Sequence, residues 1–236
     1  MLTPLTKTEI LAQSIQFSKN KKNARNIVTL NTLMLLEGWK DENFLNTLKE
    51  ADLIISDSIG ISLAATLFFK GFKKFCRYPG IELMQTLIKK GNRSFFLGGK
   101  PEVARKAGQN LKKKLKNTVI CGYHHGYFSD DENKKIIKKI NRANPEILFV
   151  GLNMKKQELW INNNKHLIST GLIMGIGGSF DVISGNLKRA PSLLRRTGLE
   201  WCWRLLMEPW RFPRIIKLPV FVLKVIHRKF SGKEFF

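Results

Sequence analysis

Four stretches of this chain share one rhythm: a short apolar run that stops at a polar residue or a glycine. They are Ile27-Val-Thr-Leu-Asn31, Ser94-Phe-Phe-Leu-Gly-Gly99, Glu146-Ile-Leu-Phe-Val-Gly151 and Gly171-Leu-Ile-Met-Gly-Ile-Gly-Gly178. Runs this short and this continuously apolar suit strands buried on both faces, as in a parallel sheet. Helical patterns lie between them. Pro101 to Leu111 opens with proline and glutamate and then spaces its apolar residues at helical intervals. Asp130 to Ile140 begins with aspartates and ends among lysines, which complements a helix dipole. Strand–helix alternation predicts a doubly wound, Rossmann-like α/β fold with a parallel sheet. Ligands of such a sheet bind beyond the carboxyl ends of its strands, where these polar stops fall.

The pattern weakens after about residue 185. From Gly185 to Phe236 there are twelve Lys and Arg against three Glu, alongside Trp201, Trp203, Trp210, Phe212 and Phe221. We therefore expect an α/β core over residues 1–185 and a basic, aromatic-rich helical appendage over 186–236. The whole chain has 236 residues and a formal charge of +23, so its partners are expected to be anionic: lipid, phosphorylated substrate or nucleic acid. Cys76, Cys121 and Cys202 are odd in number and lack CxxC spacing, and the four histidines offer no metal-ligand spacing. A reducing compartment without structural zinc is expected. The first residues carry no apolar leader, and no run approaches the ~18–20 apolar residues of a membrane span. A cytoplasmic protein, peripheral at most, is the expectation.

Several constellations could carry chemistry. Asp57 ends the apolar run Leu53-Ile-Ile-Ser56 just before a glycine turn at Gly60. A carboxylate there suits a general base for a substrate hydroxyl, or a cap for the helix of Ile61 to Phe69. Gly98, Gly99, Gly151, Gly177 and Gly178 either let backbone amides approach a diphosphate or simply make tight turns, and none completes a GxGxxG or Walker pattern. Gln157 could meet sugar hydroxyls or merely begin a helix. Arg204, Arg211 and Arg214 would share a helical face, though Pro209 and Pro213 must kink or break it. Their guanidinium forks suit phosphate, or they pair with Glu200 and Glu208 on a solvated face. Trp and Phe mixed with Lys and Arg at helical spacing also fit a helix lying on lipid.

Taken together these segments are more specific. The chain resembles the WecG/TagA/CpsF glycosyltransferases from Thr29-x-Asn31 to roughly Lys224. The shared features are Asp57 with Gly60, Arg77-x-x-Gly80, Phe96-Leu-Gly-Gly99-x-Pro101, Gly126-Tyr-Phe128, Gly151 followed by Lys156-Gln157-Glu158, and Gly175-x-Gly-Gly-x-Phe-Asp181. Ser184-Gly185, Arg189-Ala-Pro191, Glu200-Trp201-x-x-Arg204 and Glu208-Pro209-x-Arg211-x-x-Arg214 complete the series. The resemblance implies transfer of an N-acetylmannosamine-type sugar from UDP to a polyprenyl-diphosphate-linked sugar at the cytoplasmic membrane face, without a metal cofactor. It implies that Asp57 is the catalytic base. Thr29, Asn31 and Gln157 would line the sugar pocket, with Arg77 nearby and Asp181 by the nucleotide. The C-terminal arginines would close over the diphosphates as the appendage docks on membrane. A self-associated form in solution and a monomer on membrane are expected.

The chain departs from the family pattern in three places. Ser58 follows the base where glycine is usual. Asn153-Met154-Lys155 replaces a Gly-x-Pro before Lys156-Gln157-Glu158, and the first strand ahead of Thr29 reads as shortened. The reading is an inverting transferase in which Asp57 deprotonates the acceptor while Arg204, Arg211 and Arg214, helped by Arg77, neutralise the departing UDP. A family member using another UDP-hexose is the alternative. A nucleic-acid-binding module would rest on the +23 charge alone and lacks any RNP, helix-turn-helix or zinc-finger pattern. A dinucleotide-dependent oxidoreductase would need the GxGxxG that is missing.

Overall fold

The apolar runs become strands. The computed structural model describes residues 2, 4–69 and 75–235. In chain order the first half comprises α1 (Lys7–Lys19), β1 (Arg25–Leu30), α2 (Thr32–Gly38), α3 (Glu42–Lys49), β2 (Leu53–Ser56), α4 (Ile59–Phe68), α5 (Gly80–Lys89), β3 (Ser94–Gly98) and α6 (Val103–Lys114). There follow β4 (Ile120–His124), α7 (Asp130–Ala143), β5 (Ile147–Gly151), α8 (Met154–Asn164), β6 (Leu172–Gly175) and α9 (Ser179–Ile183). The tail holds α10 (Ser192–Arg196), α11 (Glu200–Met207), α12 (Phe212–Ile215) and α13 (Lys217–Phe230).

The six strands form one parallel sheet in the order β2-β1-β6-β5-β3-β4. The chain lays β1 and β2 at one edge and β3 and β4 at the other, then fills the middle with β5 and β6. Connections leaving β3 and β5 therefore run in opposite directions, which makes their shared boundary a topological switch point. Gly98 lies opposite Gly151 there.

Alternation along each strand divides the core. Ile27, Leu53, Phe96, Phe149 and Met174 pack on one face, against α1, α5, α6 and α9. Val28, Leu30 and Ile54 pack on the other face against α2, α3, α4 and α13, while Phe95, Leu97, Leu148 and Ile173 pack against α7 and α8. β4 was not anticipated. As an edge strand it is only partly buried, so Ile-Cys-Gly-Tyr-His lacks the continuous apolar signature. With six residues β1 is the longest of the six strands. The helix anticipated from Pro101 starts at Val103, because Glu102 turns into the left-handed region at φ 71°.

The tail is attached along two stretches. Near its start, Arg189 and Arg195 reach Glu82 of α5. At its end, α13 turns Phe221 and Val225 inward, and Phe221 stacks on Trp39 with ring centroids 5.6 Å apart. Phe221, Val225 and Phe235 thereby join the cluster built on Val28, Leu30 and Ile54. Glu208 interrupts the helix between α11 and Pro209, so the kink expected from the prolines is present.

Candidate active site

Asp57 follows β2 directly. Its own N–H donates to the Leu30 carbonyl at 2.9 Å, which ties it to the end of β1. One carboxylate oxygen, Oδ1, accepts from the Gly80 N–H that opens α5, at 2.7 Å. The other oxygen makes no hydrogen bond among the described residues. Asp57 does not cap α4; Ser58 does, accepting from the Ile61 N–H. The carboxyl's proton affinity is raised, first by burial and also by Glu200, against the opposing pull of the Gly80 N–H and the charges of Arg77 and Arg204. A carboxylate with one fixed oxygen, one unused oxygen and a raised proton affinity is built to accept a proton.

Arg77 joins Asp57 to the tail. Its Nε donates to the Asp57 carbonyl at 2.9 Å and one terminal nitrogen to the Arg195 carbonyl at 2.7 Å. The other terminal nitrogen lies 3.6 Å from Glu200. Arg204, one helical turn beyond Glu200 on α11, is near enough to Asp57 to lower its proton affinity. Arg214 lies exposed on α12, in no ion pair among the described residues. The Arg211 side chain lies outside the described residues. Glu200 and the Gly80 N–H, both within recognisable sequence motifs, were not anticipated as partners of Asp57.

Thr29 and Asn31 flank the end of β1. The Thr29 hydroxyl is buried and donates to the Gly175 carbonyl at 2.9 Å. Asn31 uses its Oδ1 to cap α2, accepting from the Leu33 and Met34 N–H groups. Its amide nitrogen has no partner among the described residues and remains a donor.

Gln157 is 3% exposed and occupied. Its Oε1 accepts from the Gly177 N–H at 2.9 Å, while its Nε2 donates to Glu158 Oε1 at 2.7 Å. The carboxyl thus fixes which way the amide points. Glu158 is itself buried, and desolvation pushes its pKa up to about 7. This pair leaves no room for a side chain at Gly175, where a Cβ would sit 2.2 Å from Gln157 Nε2.

The glycines divide into two kinds. A Cβ on Gly98 would meet the Gly151 carbonyl at 2.2 Å, and Gly99 donates to that same carbonyl while accepting from the Gly126 N–H. Gly98 is thus closed by backbone, and Gly99 by the Val103 side chain, 2.8 Å from a would-be Cβ. Gly177, at φ +50°, faces open space, with nothing within 4 Å of a would-be Cβ. Asp181 lies beside this turn, in the first turn of α9. Gly177 and Asp181 thus border an open turn at the carboxyl end of β6.

The departures in sequence have local explanations. Ser58 is the α4 cap and its hydroxyl lies 3.2 Å from that of Thr32. Asn153 has φ −59°, which needs no glycine. Lys155 pairs with Asp41 and Glu37, fastening the start of α8 to the α2–α3 corner. Among the described residues no three His, Cys, Asp or Glu side chains gather as a metal cluster would.

Residues 1–234 match the glycosyl transferase WecG/TagA/CpsF family. The chain is 34% identical over 214 residues to an N-acetylglucosaminyldiphosphoundecaprenol N-acetyl-beta-D-mannosaminyltransferase of Bacillus subtilis, covering 89% of this chain and 82% of that protein. A protein of the same name from Staphylococcus aureus (strain MW2) is 31% identical over 222 residues, covering 92% and 86% of the two chains.

Proposed function

The chain belongs to the WecG/TagA/CpsF family and is a glycosyltransferase, and from that premise we propose that it transfers an N-acetylmannosamine-type sugar from UDP to a polyprenyl-diphosphate-linked GlcNAc, inverting the anomeric centre. Asp57 carries the proposal. Its second carboxylate oxygen has no partner among the described residues, Arg77 holds its backbone carbonyl, and it follows β2 beside the end of β1 that carries Thr29 and Asn31, at the carboxyl edge of the parallel sheet.

In the proposed step the acceptor hydroxyl loses its proton to the free oxygen of Asp57. Its oxygen bonds to the donor's anomeric carbon as the bond from that carbon to the diphosphate oxygen breaks. UDP leaves with the bonding electron pair. Arg204 supplies positive charge for the departing diphosphate, joined in this role by Arg211 and Arg214 of the tail. Charge held ready in a site shielded from water does this without reorganisation. Gly177 and Asp181 would take the nucleotide side, and no metal is required in this scheme.

The acceptor's lipid gives the tail its second proposed role. Leu206, Trp210, Leu223 and Phe230 are 74%, 72%, 67% and 87% exposed, and Arg214, Lys217, Lys224 and Lys229 interleave with them in sequence. No helix among the described residues is long and apolar enough to cross a membrane. An apolar face edged by lysine and arginine suits the interface of an anionic, cytoplasm-facing leaflet. Sedimentation with anionic vesicles should carry the protein down, less so as salt rises; failure to bind overturns the docking role.

The deciding experiment is radiolabel transfer from UDP-N-acetylmannosamine, or its uronic acid, to a lipid-diphosphate-GlcNAc acceptor in the presence of EDTA. Labelled lipid product is expected. UDP binding without product from either donor would overturn the donor assignment, and product that requires added metal would overturn the cation scheme.

A further inference from the structure

A second cationic site lies behind the base. Where α1 and α5 meet α10 there is a cavity of about 470 Å³, lined by Lys7, Arg77, Glu82, Ser192, Arg195 and Arg196 among others. That volume is ordinary for a small-ligand site. Four of these side chains are cationic and one is anionic, so the cavity attracts anions.

The cations are also under-used. Glu82 is engaged most closely by Arg189, at 2.9 Å, while Lys7 and Arg195 stand 3.8 and 3.9 Å from it. Beyond that long pairing, the Arg195 side chain makes one hydrogen bond, from Nε to the Ala190 carbonyl. The Lys7 side chain, whose ammonium lies over the Tyr78 ring at 5.2 Å, makes no hydrogen bond among the described residues, and that of Arg196 makes neither a hydrogen bond nor an ion pair among them. Several N–H donors around one cavity thus have no acceptor among the described residues, which is what a phosphate group requires.

Position says which phosphate. Arg77 lines the cavity and also donates to the Asp57 carbonyl, so base and cavity lie on either side of one guanidinium. The open turn at Gly177 lies at the end of β6, whereas Arg77 bridges to β2 at the outer edge of the sheet. An inverting displacement brings the attacking hydroxyl and the leaving group to opposite faces of one carbon. If the nucleotide takes the Gly177 side, the acceptor comes from the Arg77 side. In a sugar 1-diphosphate the charge sits one pyranose ring from the reacting hydroxyl. Resting on the transfer reading above, we propose that the Lys7–Arg77–Arg195–Arg196 cavity binds the acceptor's diphosphate, separately from the donor's.

The test uses the full chain and the double variant Lys7→Ala/Arg196→Ala, whose side chains hold no hydrogen bond among the described residues. Unchanged thermal melting of the variant secures the comparison. The acceptor KM should rise about tenfold or more, with donor KM within about twofold. A rise in donor KM instead, or no rise in either, overturns the assignment. Inorganic pyrophosphate titrated calorimetrically into protein saturated with UDP gives a readout independent of turnover. It should bind wild type and bind the variant about tenfold more weakly. Equal binding to both overturns the cavity as the site, even in a protein that transfers sugar. Weakened pyrophosphate binding in a protein that transfers no sugar would overturn the transfer reading and the acceptor assignment while leaving an anion site. If the variant loses only its affinity for anionic vesicles and keeps its acceptor KM, the cavity serves lipid headgroups and the proposal fails.

Discussion

The two ends of the sheet's carboxyl edge are built on opposite plans. Around β3, β5 and β6 the protein satisfies itself. Gly99 donates to Gly151, Gly126 to Gly99, and Gln157 is held between Gly177 and Glu158. Around β2 it leaves groups unspent: one oxygen of Asp57, the amide nitrogen of Asn31, and the cations facing the cavity beside Arg77. The first region is a rigid shape that ligands fit against. The second presents donors and an acceptor that only a ligand completes, and two of them, Arg195 and Arg196, come from the tail. Proton transfer belongs on the second side, where a polar group can change partners without breaking the fold.

Asp57→Asn should strike the second plan hardest. Turnover is expected to fall about 10²–10⁴-fold, with UDP affinity and melting temperature near wild type. Unaltered kcat would remove Asp57 from the base role. Gly98→Ala attacks the first plan, where a Cβ would sit 2.2 Å from the Gly151 carbonyl. A cost above about 4 kcal/mol, read as lost soluble expression or a collapsed denaturation midpoint, is expected. A normally stable variant would show that the switch point yields.

Glu158→Gln sharpens the contrast through pH. The pKa of Glu158 rises from 4.5 to about 7 on burial, so the folded protein holds this proton more tightly than the unfolded chain. Its contribution to stability is present below about pH 4.5 and is lost as pH climbs to about 7, roughly 3 kcal/mol in all. Wild type should lose more melting temperature than the variant between about pH 5 and about pH 8. Parallel curves would mean that the carboxyl does not titrate in this window.

Gly177→Ala tests the same region where it is open. Only the left-handed backbone opposes it, at about 1–2 kcal/mol, so the variant should fold and lose UDP affinity. Undiminished UDP binding would take the nucleotide away from this turn. The smallest effect is expected from Glu200→Gln. Glu200 raises the proton affinity of Asp57, and the base must be unprotonated to act. The acid limb of the kcat/KM profile should therefore move to lower pH, whereas movement upward would contradict the assigned electrostatics.

What could be read in advance follows from burial. β1, β3, β5 and β6 are enclosed on both faces, so their sequences are continuously apolar and legible. β4 lies at the edge, where Tyr123 is exposed and the pattern dissolves. Asp57 was legible as a strand-end carboxylate, but its partner at Gly80 is a backbone N–H, which leaves no chemical trace in a sequence. The tail was legible in composition and illegible in orientation. Phe221 and Val225 lie four residues apart on one helical face and read equally well as lipid-facing or core-facing. Trp39, distant in sequence, decides between them.

That packing has a consequence for how the molecule is made. Leu2 and Phe235, from opposite ends of the described chain, are both buried in the cluster that covers one face of β1 and β2. Contacts of such long sequence separation form late. A nascent chain that already contained every strand would still expose Val28, Leu30 and Ile54 in part until α13 emerged from the ribosome. The sheet can be complete before the protein is, and residues made after every strand, Phe221, Val225 and Phe235, close the hydrophobic face beside the strand that leads to Asp57.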